Sequence, residues 1–140
     1  NIICYTTNPL KIAEKGDILL SVRAPVGDVN IAPHKLCIGR GLGAVRVING
    51  SNTFYFYLFQ NIRRILENLG AGSTFKAITK DQIKNVEIPI VPLPEQRRIV
   101  DILSTVDTKL EQEKKQKEKL ERVKKYLMGV LLTGKKRVKS

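Results

Sequence analysis

Residues 95–140 contain no proline, and their apolar residues repeat in a pattern that few structures can satisfy. All six prolines and eight of the ten glycines lie in residues 1–94. From Glu95 onward, apolar residues return at alternating steps of four and three, which is the spacing of a coiled-coil helix. The positions expected to pair with a second helix are Ile99, Leu103, Val106, Leu110, Leu120, Leu127 and Leu131.

Glu113 and Lys117 interrupt this apolar seam. A single helix with so narrow a stripe is marginal in water, so it needs another helix to pack on. From Glu95 to Leu132 the helix would measure about 57 Å at about 1.5 Å per residue. The other residues are too few to cover that length. The pattern therefore predicts a coiled-coil partner, although heptads alone leave parallel and antiparallel pairing open.

The preceding residues predict short, mainly antiparallel strands. An apolar run at 17–23 is followed by turn residues at 25–28, where proline presets φ and glycine permits positive φ. The alternating run at 29–32 then predicts a hairpin. We expect two further strands at 36–38 and 44–48, on either side of a glycine-rich stretch.

A helix is predicted after these strands. Ser51 or Asn52 can cap it, and apolar residues recur at helical spacing from Phe54 to Leu69. Gly70 is expected to end this helix, because glycine often follows the last helical turn.

Two short elements precede the long helix. Thr79 can cap one helical turn at 80–83, and residues 86–90 predict a last strand. The predicted fold class is therefore α+β. A small mixed domain with mainly antiparallel strands, residues 1–94, is followed by one long coiled-coil helix with a basic tail, residues 95–140.

The charge of the chain favours a polyanionic partner. The formal net charge is +12 and the pI is about 9.9. Nucleic acid is the commonest partner of such a protein, while an acidic protein or an anionic membrane would fit the same charge. No apolar run approaches the roughly 20 residues that span a bilayer, and no cleavable leader is recognisable. We therefore expect no membrane partner and a cytoplasmic protein.

Nothing in the sequence indicates a catalytic or metal centre. Cys4 and Cys37 form neither a CxxC pair nor a disulfide framework, and His34 is the single histidine. The glycine-rich stretch at 39–43 lacks the Gly-Lys-Ser/Thr ending of a phosphate-binding loop. We expect no cofactor, no metal and no enzymatic activity.

Three segments together resemble the specificity subunits of type I restriction–modification systems. The first covers residues 15–21 and the turn at 25–27, and the second covers 72–78. The third, at 88–100, is a proline-rich exit that leads through Glu-Gln into an amphipathic helix, and it is the most specific of the three. Each segment by itself is weak evidence for the family, but the order and separations of the three segments make the resemblance strong.

The resemblance implies a target recognition domain that reads one half of a split duplex DNA site, followed by a helical spacer. Methyltransferase and nuclease subunits that dock on it would do the chemistry. Full subunits of this family resemble two such units in tandem, with antiparallel spacers. Against that pattern, we expect this chain to hold one unit and to lack the family's usual opening strands before Asn1. We therefore expect it to pair as a homodimer or with a second half-unit.

An assembly module that no longer reads DNA is the alternative function. If the domain does read DNA, arginine can grip a guanine edge with two hydrogen bonds, although each arginine could equally be a solvated strand-end residue. The loop at 72–76 offers hydroxyls and a cation, although it could equally be a plain connection. The candidate DNA-binding residues are Arg23, Arg40, Arg46, Ser73, Thr74 and Lys76.

Overall fold

The computed structural model describes residues 7–71 and 77–138, and in this range the chain forms short strands followed by helices. The chain divides into two compact units, Asn1–Val100 and Asp101–Ser140. In chain order the elements are β1 (Ile12–Ala13), β2 (Ile18–Ser21), β3 (Val29–Ile31), β4 (Leu36–Cys37), β5 (Leu42–Val45), α1 (Asn52–Asn61), α2 (Arg63–Ala71), α3 (Lys80–Lys84) and α4 (Leu93–Leu131).

Strand β2 is the centre of the first unit. It pairs antiparallel with β3 on one side and with β5 on the other, so that Leu19 lies opposite both Asn30 and Ala44. Strands β1 and β4 form a separate antiparallel pair. The predicted hairpin is confirmed, and its turn is closed by the Gly27 N–H donating to the Ser21 carbonyl (3.0 Å). The α+β fold class is also confirmed.

Both faces of β2 are covered, because its side chains alternate between two apolar clusters. Ile18 and Leu20 are fully buried on one face. Leu19 packs against the smaller cluster on the other face. The larger cluster consists of Ile18, Leu20, Val26, Phe59, Ile62, Leu66 and Ile78. Most of the core of the first unit therefore packs on the two faces of β2, and its stability depends on that packing.

The helix predicted from 54 to 69 is two helices. The Ser51 hydroxyl accepts the Phe54 N–H (3.3 Å), as predicted for a cap. The helix then breaks at Ile62, and α2 continues to Ala71. The prediction that Gly70 ends the helix is wrong. Gly70 is a buried residue within α2, where an added Cβ would lie 3.4 Å from Ile78 Cγ2, an ordinary van der Waals distance.

Two strand predictions are corrected. β5 covers Leu42–Val45 rather than 44–48, because the ladder ends where Val45 meets Ile18, the first residue of β2. Residues 86–90 form no strand in the described structure, and Pro89 has no N–H to donate to a ladder. The capped turn after Thr79 is confirmed as α3, with a complete capping box between Thr79 and Gln82.

Helix α4 has 39 residues and begins at Leu93, two residues before the predicted Glu95. Pro94 fits its first turn, where an N–H has no helical partner. Gln96 is 3% exposed. Its amide nitrogen donates to the Val91 carbonyl (2.7 Å) and its amide oxygen accepts the Ser51 N–H (2.9 Å). The first turn of α4 is thereby attached to the start of α1 within the first unit.

The first unit should depend strongly on β2 packing. Leu20→Ala is expected to lower the free energy of unfolding by about 2–5 kcal/mol, since it removes a fully buried side chain. Urea denaturation followed by circular dichroism measures this. Ile48→Ala is the control, because Ile48 is 87% exposed, and it should change stability by about 0.5 kcal/mol or less. Equal effects of the two substitutions would contradict the assignment of the core.

Candidate nucleic-acid interface

A basic cleft of about 820 Å³ lies in the first unit, bounded by β5, the end of β2 and α3. Its apolar floor includes Leu20, Val22 and Phe59. Among the described residues that line it there are cations and no carboxylate. The cations are Lys11, Arg23, Arg40, Arg46, Lys80 and Lys84. A concave surface with this charge attracts polyanions.

Arg23 is held at the cleft by its backbone. It lies just beyond β2 and forms an antiparallel bridge with Ala77. The neighbouring Val22 donates its N–H to the Gly41 carbonyl (2.9 Å) and accepts the Ile78 N–H (3.0 Å). The Arg23 side chain itself is exposed. A fixed backbone with an exposed guanidinium suits contact with a ligand in the cleft.

Arg40 occupies the turn before β5. The Leu42 N–H donates to the Gly39 carbonyl (3.1 Å), which closes the turn around Arg40 and Gly41. A Cβ added at Gly39 or Gly41 would meet no atom within 4 Å. The turn therefore presents an exposed arginine on a backbone that large ligands can approach.

Arg46 forms an ion pair with Asp17. Its Nε donates to Asp17 Oδ1 (2.9 Å) and its Nη2 donates to Asp17 Oδ2 (2.8 Å). The Asp17 side chain is 5% exposed and that of Arg46 is 58% exposed. The hydrogen bonds from Arg46 lower the pKa of the Asp17 carboxyl, and the carboxylate raises the pKa of the Arg46 guanidinium. Arg46 therefore combines a structural ion pair with a charged surface at the cleft.

The cleft also contains lysines that the sequence analysis did not select. Lys80 and Lys84 are four residues apart, so they lie on one face of α3. Lys11 comes from the chain just before β1. In the sequence, the helical turn that Thr79 caps has a lysine at each end, and this pattern could have identified Lys80 and Lys84. Lys11 is distant in sequence, and no local pattern places it there.

The remaining candidate contacts, Ser73, Thr74 and Lys76, lie outside the described residues. Ala77, the residue after Lys76, does line the cleft. Within residues 7–71 and 77–138, no group of three or more histidine, cysteine, aspartate or glutamate side chains could hold a metal ion. No helix in the described part of the chain is long and apolar enough to cross a membrane.

The sequence matches the family model of the type I restriction modification DNA specificity domain over residues 6–122. The chain belongs to this family. The resemblance of the three sequence segments is thereby confirmed.

Related specificity domains occur in Methanocaldococcus jannaschii. The chain is 49% identical over 142 residues to the putative type I restriction enzyme MjaX specificity subunit, covering 100% of this chain and 33% of the relative. It is 38% identical over 117 residues to the type I restriction enzyme MjaIX specificity subunit, covering 81% of this chain and 27% of the relative. The chain thus spans about a third or less of the length of these two relatives.

Solved structures of specificity subunits have a similar fold. A chain from the type I R-M system superposes with a TM-score of 0.77 at 39% identity, covering 88% of this chain and 31% of that one. The HsdS subunit from Thermoanaerobacter tengcongensis superposes with a TM-score of 0.70 at 35% identity, covering 90% of this chain and 32% of that one. The specificity-domain fold therefore applies to nearly the whole of this chain.

The ion pair of Asp17 should make stability depend on acid pH. Its folded-state pKa is below the ordinary value of 3.8, so the carboxylate contributes full stability above about pH 4 and loses it as the pH falls through the lowered pKa. The difference in unfolding free energy between the wild type and Asp17→Asn should therefore be larger at pH 7 than at pH 3. Urea denaturation at both values measures it.

Glu87→Gln is the control, because Glu87 is exposed and forms none of the contacts of Asp17. Its unfolding free energy should follow that of the wild type at both pH values. A difference between wild type and Asp17→Asn that did not change with pH would contradict the role given to the carboxylate.

Proposed function

We propose that this chain is the DNA-reading part of a type I restriction–modification specificity subunit. The observation that supports this most directly is the basic cleft, which lies in a member of the specificity-domain family and whose described lining has six cations around an apolar floor. The chain would recognise duplex DNA and would not itself catalyse a reaction. Methyltransferase and restriction subunits would be directed to the site it binds.

The cations of the cleft would have different tasks. Arg23 and Arg40 are exposed and suit bidentate hydrogen bonds to guanine O6 and N7 in the major groove. Lys80 and Lys84 suit phosphate contacts, which position a protein without specifying sequence. Arg46 would add charge while it remains bonded to Asp17. Ser73, Thr74 and Lys76, which precede Ala77 in the sequence, are proposed as further DNA contacts.

The long helix would carry the spacer function. We propose that α4 pairs through its exposed seam with the helix of a second copy or of a second half-unit, giving two reading domains for a split site. DNA reading of this kind takes place in the cytoplasm of a bacterium or archaeon. One turn of duplex DNA spans about 34–36 Å. Two reading domains held at a fixed distance would therefore recognise two half-sites separated by a fixed gap.

The proposal is tested by selection from a duplex library that contains two randomised half-sites separated by gaps of different length. The chain should enrich one sequence, and its affinity should fall steeply with salt because phosphate contacts release counterions. Enrichment of no sequence, together with equal affinity for all duplexes, would contradict DNA reading and would favour an assembly module.

Arg40→Ala should weaken binding to the selected sequence by about tenfold to a hundredfold, with a smaller effect on random duplex, because a base contact is lost. Fluorescence anisotropy titrations on both duplexes measure this. Arg64→Ala is the matched control, since Arg64 is an exposed arginine of the same unit that does not line the cleft. Equal losses for the two variants would show that Arg40 acts through general charge alone.

Lys84→Ala should behave differently from Arg40→Ala. Loss of a phosphate contact should weaken binding to all duplexes by a similar factor and reduce the slope of log affinity against log salt by about one. The same anisotropy titrations at several salt concentrations give the slope. A loss confined to the selected sequence would assign Lys84 to base reading instead.

A further inference from the structure

Arg46 is bonded to a buried carboxylate at the edge of the basic cleft. Its Nε and Nη2 donate to the two carboxylate oxygens of Asp17 (2.9 and 2.8 Å), whose side chain is only 5% exposed. Two parallel hydrogen bonds fix the plane of a guanidinium as well as its position. The Arg46 side chain is therefore ordered before any ligand reaches the cleft.

The sheet explains why these two side chains meet. In the ladder of β2 and β5, Ile18 lies opposite Val45. The same register, continued by one residue, places Asp17 opposite Arg46. The Asp17 carboxylate is held in turn by the main chain, because its Oδ2 also accepts the Glu14 N–H (2.9 Å). The position of the guanidinium is thus set by backbone geometry and not by a second mobile side chain.

The ion pair leaves part of the guanidinium open to a ligand. A guanidinium carries five N–H donors. Asp17 accepts from Nε and from one hydrogen of Nη2, so the Nη1 group and the second Nη2 hydrogen lie outside the pair. The Arg46 side chain is 58% exposed and lines the cleft, so these donors can reach a bound anion.

A phosphate group suits such a preset donor better than a base edge does. Phosphates recur along every duplex whatever its sequence, and their oxygens accept two parallel hydrogen bonds from one arginine. The Asp17 carboxylate opposes part of the Arg46 charge, so the pair contributes orientation more than long-range attraction. Ordering a long side chain during binding lowers affinity. Arg46 avoids that loss, because folding has already ordered it.

We propose that Asp17 is a positioning residue for DNA binding, which presets Arg46 to contact a phosphate of the duplex. Asp17 is buried, so it acts through the guanidinium and not by contact with DNA. This role rests on the proposed function, because the ligand is duplex DNA. It has an effect that net charge alone cannot produce, since removing a negative charge beside the cleft should weaken the binding of a polyanion.

Asp17→Asn tests this effect. Asparagine has nearly the shape of aspartate, but it is neutral and has one acceptor oxygen, so it cannot hold the guanidinium by two hydrogen bonds. The variant should bind the selected sequence and a random duplex about three- to tenfold more weakly, because one long side chain must then be ordered on binding. Fluorescence anisotropy titrations measure both affinities.

Two results with Asp17→Asn would overturn the proposal. One is binding as tight as that of the wild type or tighter, which is what the gain of positive charge alone would give. The other is a loss confined to the selected sequence, because Arg46 would then contact a base and not a phosphate.

Glu14→Gln is the matched control for charge. Glu14 is a second carboxylate that acts electrostatically on Arg46, but its own side chain pairs with Lys35 (2.9 Å). The substitution changes the net charge by the same amount as Asp17→Asn and removes no hydrogen bond from Arg46. Because exposed charges are screened, it should leave duplex affinity unchanged or raise it up to about twofold. A loss equal to that of Asp17→Asn would show that the ion pair is not responsible.

Arg46→Lys separates geometry from charge. Lysine keeps the positive charge but lacks the planar fork that pairs with a carboxylate through two hydrogen bonds. It should bind both duplexes as weakly as Asp17→Asn, and combining the two substitutions should produce no further loss. Circular dichroism of each variant checks that it is folded at the assay temperature. Wild-type affinity of Arg46→Lys, or full additivity of the two losses, would contradict positioning by Asp17.

Nuclear magnetic resonance of the isotope-labelled wild type tests the same role without a destabilising substitution. The Arg46 Nε–H resonance, identified by its absence from the spectrum of Arg46→Lys, should be protected from exchange in the free chain. Addition of the random duplex should shift the Arg46 Nη resonances and leave the Nε–H protected. No change at Arg46, or loss of the Nε–H protection on binding, would overturn the proposal.

Failure of this role and failure of the proposed function give different results. If the wild type prefers no sequence but Asp17→Asn still weakens binding to every duplex, DNA reading fails while the positioning role holds. If the wild type selects a sequence and Asp17→Asn binds as tightly, only the positioning role fails. A wild type that binds no duplex overturns both.

Discussion

The buried carboxylate of Asp17 is the polar constraint around which the first unit is arranged. A carboxylate removed from water must be paired and hydrogen-bonded, and Asp17 takes the Arg46 guanidinium and the Glu14 N–H (2.9 Å). Its backbone carbonyl accepts the Ala32 N–H (2.8 Å). The preceding Gly16 carbonyl accepts the Asn52 side chain (2.8 Å). One short segment therefore joins the start of β2, the chain after β3, the chain after β5 and the start of α1.

This arrangement divides the arginines of the basic cleft into two kinds. Arg46 is fixed because Asp17 needs it, so two of its nitrogens are already bonded. Arg23 and Arg40 are positioned by backbone contacts and keep their side chains exposed. The fold thus supplies a permanent positive charge beside two guanidinium groups that a ligand can recruit. Sequence-specific binding needs such groups, whereas the permanent charge is independent of the ligand.

Local patterns predicted most elements of the fold, and contacts between distant residues explain what they missed. The hairpin of β2 and β3, the cap of α3 and the extent of α4 each depend on residues close in sequence. The pairing of Asp17 with Arg46 joins residues 29 positions apart, so no periodicity predicts it. Gly70 was misread because glycine often follows the last helical turn, whereas here α2 continues through Gly70 to Ala71, and its neighbour Ile78 comes from another segment.

The lining of the candidate cleft was predicted in part for the same reason. Arg23, Arg40 and Arg46 were selected because they lie on or beside predicted strands, and all three line one cleft. Lys11, Lys80 and Lys84 come to that cleft through tertiary packing of β1 and α3, which the sequence pattern alone does not define. Their positions show that charges distributed along the chain come together in one cleft only after the strands and α3 have packed.

The attachment of α4 through Gln96 has a consequence for how the protein responds to its solution. The amide of Gln96 is neutral at every pH, and within the described structure its hydrogen bonds join backbone groups, the Ser51 N–H and the Val91 carbonyl. Ionic strength weakens exposed charge–charge contacts but hardly affects a buried contact between neutral groups. The base of the helix therefore stays attached to the first unit under salt conditions that would empty the basic cleft, so release of a polyanion and loss of this junction are separate events.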